Sequence, residues 1–247
     1  MPLKSSARGE TRFTKDTLFG GALTLLQPTR GYRMNVDAVF LAAFARQRRP
    51  AELAVDLGAG VGAVALILNH WGAIRRAALV ERELLLSGLA RRNLRAAGLS
   101  GAVYSTDLGD GGLPVELAGK ADLVVSNPPF FEPGSARASS HYLDAAARQG
   151  TVEPFLAAAA LALRGSRGRA AFVYPARALQ SFLEEAANVR LFAKRLRFVH
   201  ARVELPARMA LVELRRTKPG GLEVEPPLIE WTGPGVRSAE VSKLLAR

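Results

Sequence analysis

From Leu53 the chain reads as a short apolar strand, Leu53–Leu57, that runs into Gly58-Ala59-Gly60-Val61-Gly62 and then into an apolar helix, Val61–Trp71. Glycines at such a corner let the backbone approach a ligand closely and expose the amino end of the following helix. The rhythm repeats. Ala77–Glu81, Ala102–Thr106, Ala121–Ser126 and Arg169–Tyr174 read as strands, and Leu84–Ala97, Glu153–Leu163 and Ala178–Asn188 as helices. Continuous apolar strands alternating with helices specify an α/β chain whose parallel sheet is covered on both faces. Later the rhythm changes. Arg197–Glu204 and Met209–Arg215 are separated only by Leu205–Arg208, too short for a parallel crossover, so the sheet takes one antiparallel strand.

Three regions follow. Residues 1–50 form a basic N-terminal extension: an arm over the first fifteen residues, a hairpin of Thr17–Phe19 and Ala22–Gln27 about Gly20-Gly21, and a helix capped by Asn35. That helix shows one apolar face through Val36, Val39, Phe40, Ala43 and Phe44. Residues 51–218 hold the core. Residues 219–247 are a tail packed on it, with a strand near Leu228–Trp231 and a helix from Ser238. The one long stretch without a pattern is Phe131–Thr151.

The chain has no Cys, which excludes disulfides, zinc–thiolate sites and cysteine nucleophiles. Met1–Phe13 has no apolar h-region and no run is long enough to span a bilayer, so the expected location is cytoplasmic, with no membrane partner. The net charge is +12, which suits a polyanion, although a chain rich in Ala, Gly and Arg with only six Lys also fits a GC-rich coding bias. Position favours the polyanion. Residues 1–50 hold nine basic and three acidic side chains, and residues 190–218 hold nine and two. Lys194, Arg195 and Arg197 in the second cluster, with Arg137 and Arg148 on the long loop, are the expected RNA contacts.

The glycine corner and Glu81, at the end of the next strand, describe a nucleoside-binding crevice, with Glu81 accepting from the ribose hydroxyls. Gly58, Gly60 and Ala63 also satisfy a dinucleotide fingerprint. Asp56 discriminates, because a carboxylate there would repel a pyrophosphate yet suits the ammonium and sulfonium of S-adenosylmethionine. Asp107 is placed to meet the cofactor's adenine amine, with Asp110 close by as an alternative.

Ser126-Asn127-Pro128-Pro129-Phe130 ends the fourth strand and opens into the same crevice. Pro128 and Pro129 fix their own backbone angles and bias the residues before them toward extended shapes, so the corner is rigid. It aims two acceptors, the Asn127 side-chain oxygen and the Pro128 carbonyl, at one point. An aromatic amine needs such a pair, since its lone pair is delocalised until both N–H groups are bound. Phe130 is placed to stack on the base. No metal enters this scheme.

These two motifs resemble those of class I S-adenosylmethionine-dependent methyltransferases that act on amide or aromatic amines. Phe19-Gly20-Gly21, Gln27-Pro28, Gly31-Tyr32-Arg33, Asp37–Ala42, Pro227-Leu228-Ile229 and Val241 to Leu245 further resemble the bacterial tRNA (adenine-N6)-methyltransferases that modify valine tRNA beside the anticodon. The resemblance implies a Rossmann-like, seven-stranded, mostly parallel sheet with an antiparallel last strand. It implies that Tyr32, Arg33 and Asp37 lie against the methionine end of the cofactor, with Asp56, Gly58, Gly60, Glu81, Asp107 and Asn127 completing that site. Asn127, Pro128, Pro129 and Phe130 would hold the target adenine; the family's familiar member carries Tyr at the position of Phe130. Other readings stay open: a glutamine-N5 protein methyltransferase, a DNA adenine methyltransferase, a binding module without turnover and a dinucleotide oxidoreductase.

Overall fold

The computed structural model describes residues 13–110, 112–129 and 152–246. The chain opens with a hairpin, β1 (Phe13–Leu18) and β2 (Leu23–Pro28), followed by α1 (Val36–Ala45). An alternating run follows: β3 (Ala51–Leu57), α2 (Ala63–His70), β4 (Ile74–Val80), α3 (Leu84–Ala96), β5 (Ser100–Tyr104) and β6 (Leu123–Ser126). Then come α4 (Glu153–Ala162), β7 (Arg169–Pro175), α5 (Leu179–Asn188), β8 (Phe192–His200) and β9 (Ala207–Arg215). The tail adds β10 (Glu223–Ile229), β11 (Trp231–Gly233), β12 (Val236–Arg237) and α6 (Ala239–Leu245), whose Ser238 side chain caps the Val241 N–H.

The main sheet has eight strands in the order β10-β8-β9-β7-β6-β3-β4-β5. The expected mostly parallel α/β sheet is there, with β9 antiparallel to both β7 and β8. The eighth strand is β10, which joins β8 in parallel and so brings the tail into the sheet. Its register shifts between Glu225 and Leu228, across Pro226-Pro227, where the missing N–H groups interrupt the ladder.

Alternate residues of each strand face opposite layers. Ala54, Leu79, Leu123, Val125 and Val173 pack with α1, α2, α3 and the hairpin, while Val55, Val80, Val124, Ala170 and Phe172 pack with α4 and α5. The α1 helix was expected to bury one face. Instead Ala38, Val39, Phe40, Leu41, Ala42, Phe44 and Ala45 are all buried, because the helix is enclosed by α2, the sheet and α6.

Three local expectations shift. Phe13–Lys15 belong to β1 rather than to the arm, held by pairing with Leu26–Pro28 and by Arg92 lying 4.4 Å over the Phe13 ring. The hairpin loop is Phe19–Ala22 rather than two glycines. Phe19 itself turns to φ 53 and stacks on His70 at 5.1 Å, burying its ring. Finally, β8 starts at Phe192 and ends at His200, since Leu196 and Val199 are buried while Val203 is 74% exposed. The turn between β8 and β9 is closed by His200 Nδ1 donating to the Leu205 carbonyl at 2.8 Å.

Candidate active site

Strand order reverses between β3 and β6: the chain steps outward through β4 and β5, then returns to the other side of β3. Ligands of open α/β sheets bind outside the carboxyl ends of the strands at such a switch point. Both sequence motifs end there. Leu57 pairs with Ser126 in parallel register, so Gly58 and Asn127 leave the sheet side by side. The buried Ser126 hydroxyl donates to the Leu57 carbonyl at 2.9 Å and straps the two corners together.

On the β3 side, Gly58, Gly60 and Gly62 have φ values of 68, 57 and 85. The absent side chains are also required by space. A Cβ on Gly60 would lie 2.6 Å from the Tyr32 ring, and one on Gly58 2.8 Å from Phe155. Gly60 donates its N–H to Glu81 Oε2 at 2.8 Å and Glu83 donates to Oε1 at 2.8 Å, so backbone amides hold the Glu81 carboxylate beneath the turn. Burial raises the Glu81 pKa despite these bonds. Asp56 lies deeper, 2% exposed, and its pKa is pushed up to about 7, first by desolvation and further by the charge of Glu81. Its Oδ2 is buried without a hydrogen-bond partner, an acceptor left for a donor or cation that the described residues do not supply.

On the β6 side, Asn127 is half-buried and Pro128 buried. Among the described residues no hydrogen bond satisfies the Asn127 side chain or the Pro128 carbonyl. Phe130, Arg137 and Arg148 lie outside the described residues. Beyond β6 a cavity of 430 Å³ opens at the ends of β7 and β9, lined by Asn35, Asp37, Pro175, Arg177, Ala207, Arg208 and Met209.

Other expected site residues have partners within the fold. Arg33 donates to Thr14 Oγ1 and the Pro28 carbonyl and pairs with Asp16, which fastens residues 29–35 to the hairpin. Asp37 is 5% exposed and bound by Arg208, which also binds Glu230. Asp107 accepts from Gly109 N–H at 2.8 Å and faces Arg82 at 3.3 Å.

The basic cluster on β8 finds its partners inside the structure. Lys194 donates to the Lys218 and Gly220 carbonyls, both at 2.6 Å. Arg195 stacks 4.2 Å over Phe44 and lies 3.5 Å from Glu213 and 3.2 Å from Glu225. Arg197 grips Glu240 with two bonds of 2.8 Å. These side chains tie β10 and α6 to the sheet, so the charge that the sequence suggests for an RNA surface has carboxylate and carbonyl partners here.

Three contributors were not visible in the sequence. Phe155 lies against Gly58, and Arg208 joins α1 to the tail. Asn93, 1% exposed on α3, donates to the Val61 and Leu26 carbonyls and accepts from Leu26 N–H, which anchors the hairpin beside the glycine corner. Each is a long-range contact without local pattern.

Residues 36–173 match the Methyltransferase small domain family. The chain is similar to a tRNA1(Val) (adenine(37)-N6)-methyltransferase of Trichodesmium erythraeum, 28% identical over 79% of this chain and 82% of that protein. One from Porphyromonas gingivalis is 30% identical over 66% and 67%. A release factor glutamine methyltransferase of Mycolicibacterium smegmatis is 37% identical, but over only 42% of this chain and 36% of its own length. Among solved structures, a predicted O-methyltransferase from Agrobacterium tumefaciens aligns with a TM-score of 0.65 at 21% identity, over 84% of this chain and 94% of that one.

Proposed function

The chain belongs to the Methyltransferase small domain family, and from that premise we propose that it transfers a methyl group from S-adenosylmethionine to the N6 amine of an adenine in RNA, specifically a tRNA near the anticodon. The observation that carries this reading is the pair of acceptors, the Asn127 side-chain oxygen and the Pro128 carbonyl, that take no hydrogen bond from any described residue and stand beside the glycine corner.

The residues present fit the cofactor. The side-chain-free turn at Gly60, with the Tyr32 ring packed against it, the amide-held carboxylate of Glu81 and the orphaned Asp56 oxygen make a close-backbone cradle with two carboxyl groups at its base. Glu81 retains lone pairs for ribose hydroxyls, and Asp56 would face the cationic end. When bound, S-adenosylmethionine supplies an electrophilic methyl group on a good leaving group.

The protein's part is positioning. Asn127 Oδ1 and the Pro128 carbonyl each accept one N–H of the target amine. This turns the nitrogen lone pair out of conjugation and toward the cradle. Two prolines hold those acceptors without a reorganisation cost at the moment of transfer. The amine proton passes to solvent afterwards, so no general base is needed.

An RNA substrate is supported by the extent of similarity, which covers 79% of this chain for a tRNA enzyme against 42% for the release factor enzyme. The test is incubation with methyl-labelled S-adenosylmethionine and either unmodified total tRNA or a release factor, followed by nucleoside and peptide mass spectrometry. N6-methyladenosine in tRNA is the expected product. Label confined to a glutamine side chain overturns the reading.

A further inference from the structure

The amino ends of the parallel strands form the rim opposite the crevice, and that rim carries basic side chains. Ten described arginines lie within ion-pair distance of a carboxylate. Arg46, Arg48 and Arg49, between α1 and β3, are not among them and make no side-chain hydrogen bond to any described residue. Arg48 and Arg49 are exposed, and Arg46 is half-exposed. With Ala43, Gln47 and Arg195 they line an open concavity of 790 Å³ that has no acidic lining residue. Arg76 near the start of β4, Arg167 before β7 and Arg190 before β8 continue the same rim, exposed and without an ion pair to a carboxylate among the described residues. Glu52 and Asp122 also lie on it, but Arg75 and Arg164 pair with them at 2.9 and 3.2 Å.

We propose that this rim, centred on Arg46, Arg48 and Arg49, is a second RNA contact that grips backbone phosphates away from the site of methyl transfer. The proposal rests on the RNA reading above and extends it to the size of the substrate. Unpaired guanidiniums in a concave, acid-free surface are the chemistry that a phosphate backbone selects. Distance defines what such a substrate must be. The seven residues of β3 run from beside Arg49 to Gly58, a separation of about 23 Å at the usual strand rise. The sheet and its helices lie between the two rims, so a ligand that fills both places must run around the protein over a path longer than this separation. A folded RNA can do so, and a nucleotide or a short loop cannot. The two contacts then divide the work: the crevice recognises the amine, and the rim selects RNAs that are large and structured.

The experiment compares the wild type with the triple variant Arg46→Gln/Arg48→Gln/Arg49→Gln. Each is assayed on full-length unmodified tRNA and on a short anticodon-arm oligonucleotide. For the variant, KM on tRNA should rise on the order of tenfold at moderate salt with kcat unchanged, and the log–log salt slope of binding should fall by about two. KM on the short arm should stay within about twofold, since that RNA cannot reach the rim. The triple Arg→Lys variant should retain most tRNA affinity, which separates charge from folding. An unchanged KM and slope on tRNA, or equal losses on both RNAs, overturns the rim. A wild type that methylates neither RNA but a glutamine-containing protein overturns the RNA reading, and the rim with it.

Discussion

The Ser126 hydroxyl donates to the Leu57 carbonyl at 2.9 Å across the two strands whose next residues are Gly58 and Asn127. One bond therefore fixes the offset between the corner that fits the cofactor and the corner that fits the target amine. Both residues are fully buried, so their contribution is positional.

Asn127→Ala should abolish methyl transfer while cofactor affinity, measured by calorimetry, stays within a few-fold. Ser126→Ala should act differently. It costs about 1 kcal/mol of stability, the worth of one buried hydrogen bond, and lowers kcat with KM for cofactor unchanged. If Asn127→Ala loses cofactor binding as steeply as transfer, its amide is a structural brace and the proposed amine contact is wrong.

How much of this was legible in sequence depends on how local each feature is. Gly58, Gly60 and Asn127 follow strands that announce themselves, so their convergence at the switch point could be read from alternation alone. Pairing partners could not. Charge counting saw Lys194, Arg195 and Arg197 as a surface, whereas Glu213, Glu225 and Glu240, distant in sequence or across a strand, neutralise the two arginines. Arg208, Asn93 and Phe155 were missed for the same reason: each acts on a segment at least 60 residues away. The α1 helix misled in the opposite sense. Its spacing showed one apolar face, but its small residues let neighbours close around it.

Gly60→Ala tests the cradle. The new methyl group meets the Tyr32 ring at 2.6 Å, and φ of 57 is costly for any residue with a Cβ. A stability loss of about 1–3 kcal/mol and a large drop in cofactor affinity are expected. Adding Tyr32→Ala should relieve the contact but not the backbone cost. Full recovery of cofactor affinity in the double variant would mean that the close backbone approach at Gly60 is not what the cofactor requires.

The raised pKa of Asp56 gives a pH dependence with a definite sign. The folded protein holds this proton up to about pH 7, while the unfolded chain releases it near the ordinary aspartate value of 3.8. Between those values the native state binds more protons, so the stabilisation present below pH 4 is lost as pH rises through about 7. The ligand-free protein should therefore lose stability across this window, on the order of a few kcal/mol from this group. Asp56→Asn should flatten the profile, with a smaller residual slope from Glu81, whose pKa is raised in the same direction. A cationic ligand favours the ionised carboxylate, so cofactor affinity should increase over the same interval. Thermal melts from pH 4 to 8, with and without S-adenosylmethionine, measure both; a flat wild-type profile would show that Asp56 is ionised in the fold.

Arg208 holds two carboxylates that the fold has taken out of water. Asp37 and Glu230 are each 5% exposed, on α1 and in the tail, and the guanidinium on β9 bridges them. Its own pKa is raised by those two acids against the opposing effect of burial. Arg208→Ala would leave both carboxylates buried without their partner, which typically costs about 3–5 kcal/mol. Replacing all three groups, as Asp37→Asn, Glu230→Gln and Arg208→Met, removes the stranded charge and should recover most of that loss in urea unfolding. The triple variant then isolates a second question. If Asp37 serves only this bridge, cofactor affinity in the triple should match wild type. If its carboxylate also meets the amino group of the cofactor, as the sequence resemblance implies, affinity should remain depressed although stability has returned. A single Arg208→Ala variant as stable as wild type would mean that water reaches these carboxylates and that the tail is held by β10 and α6 alone.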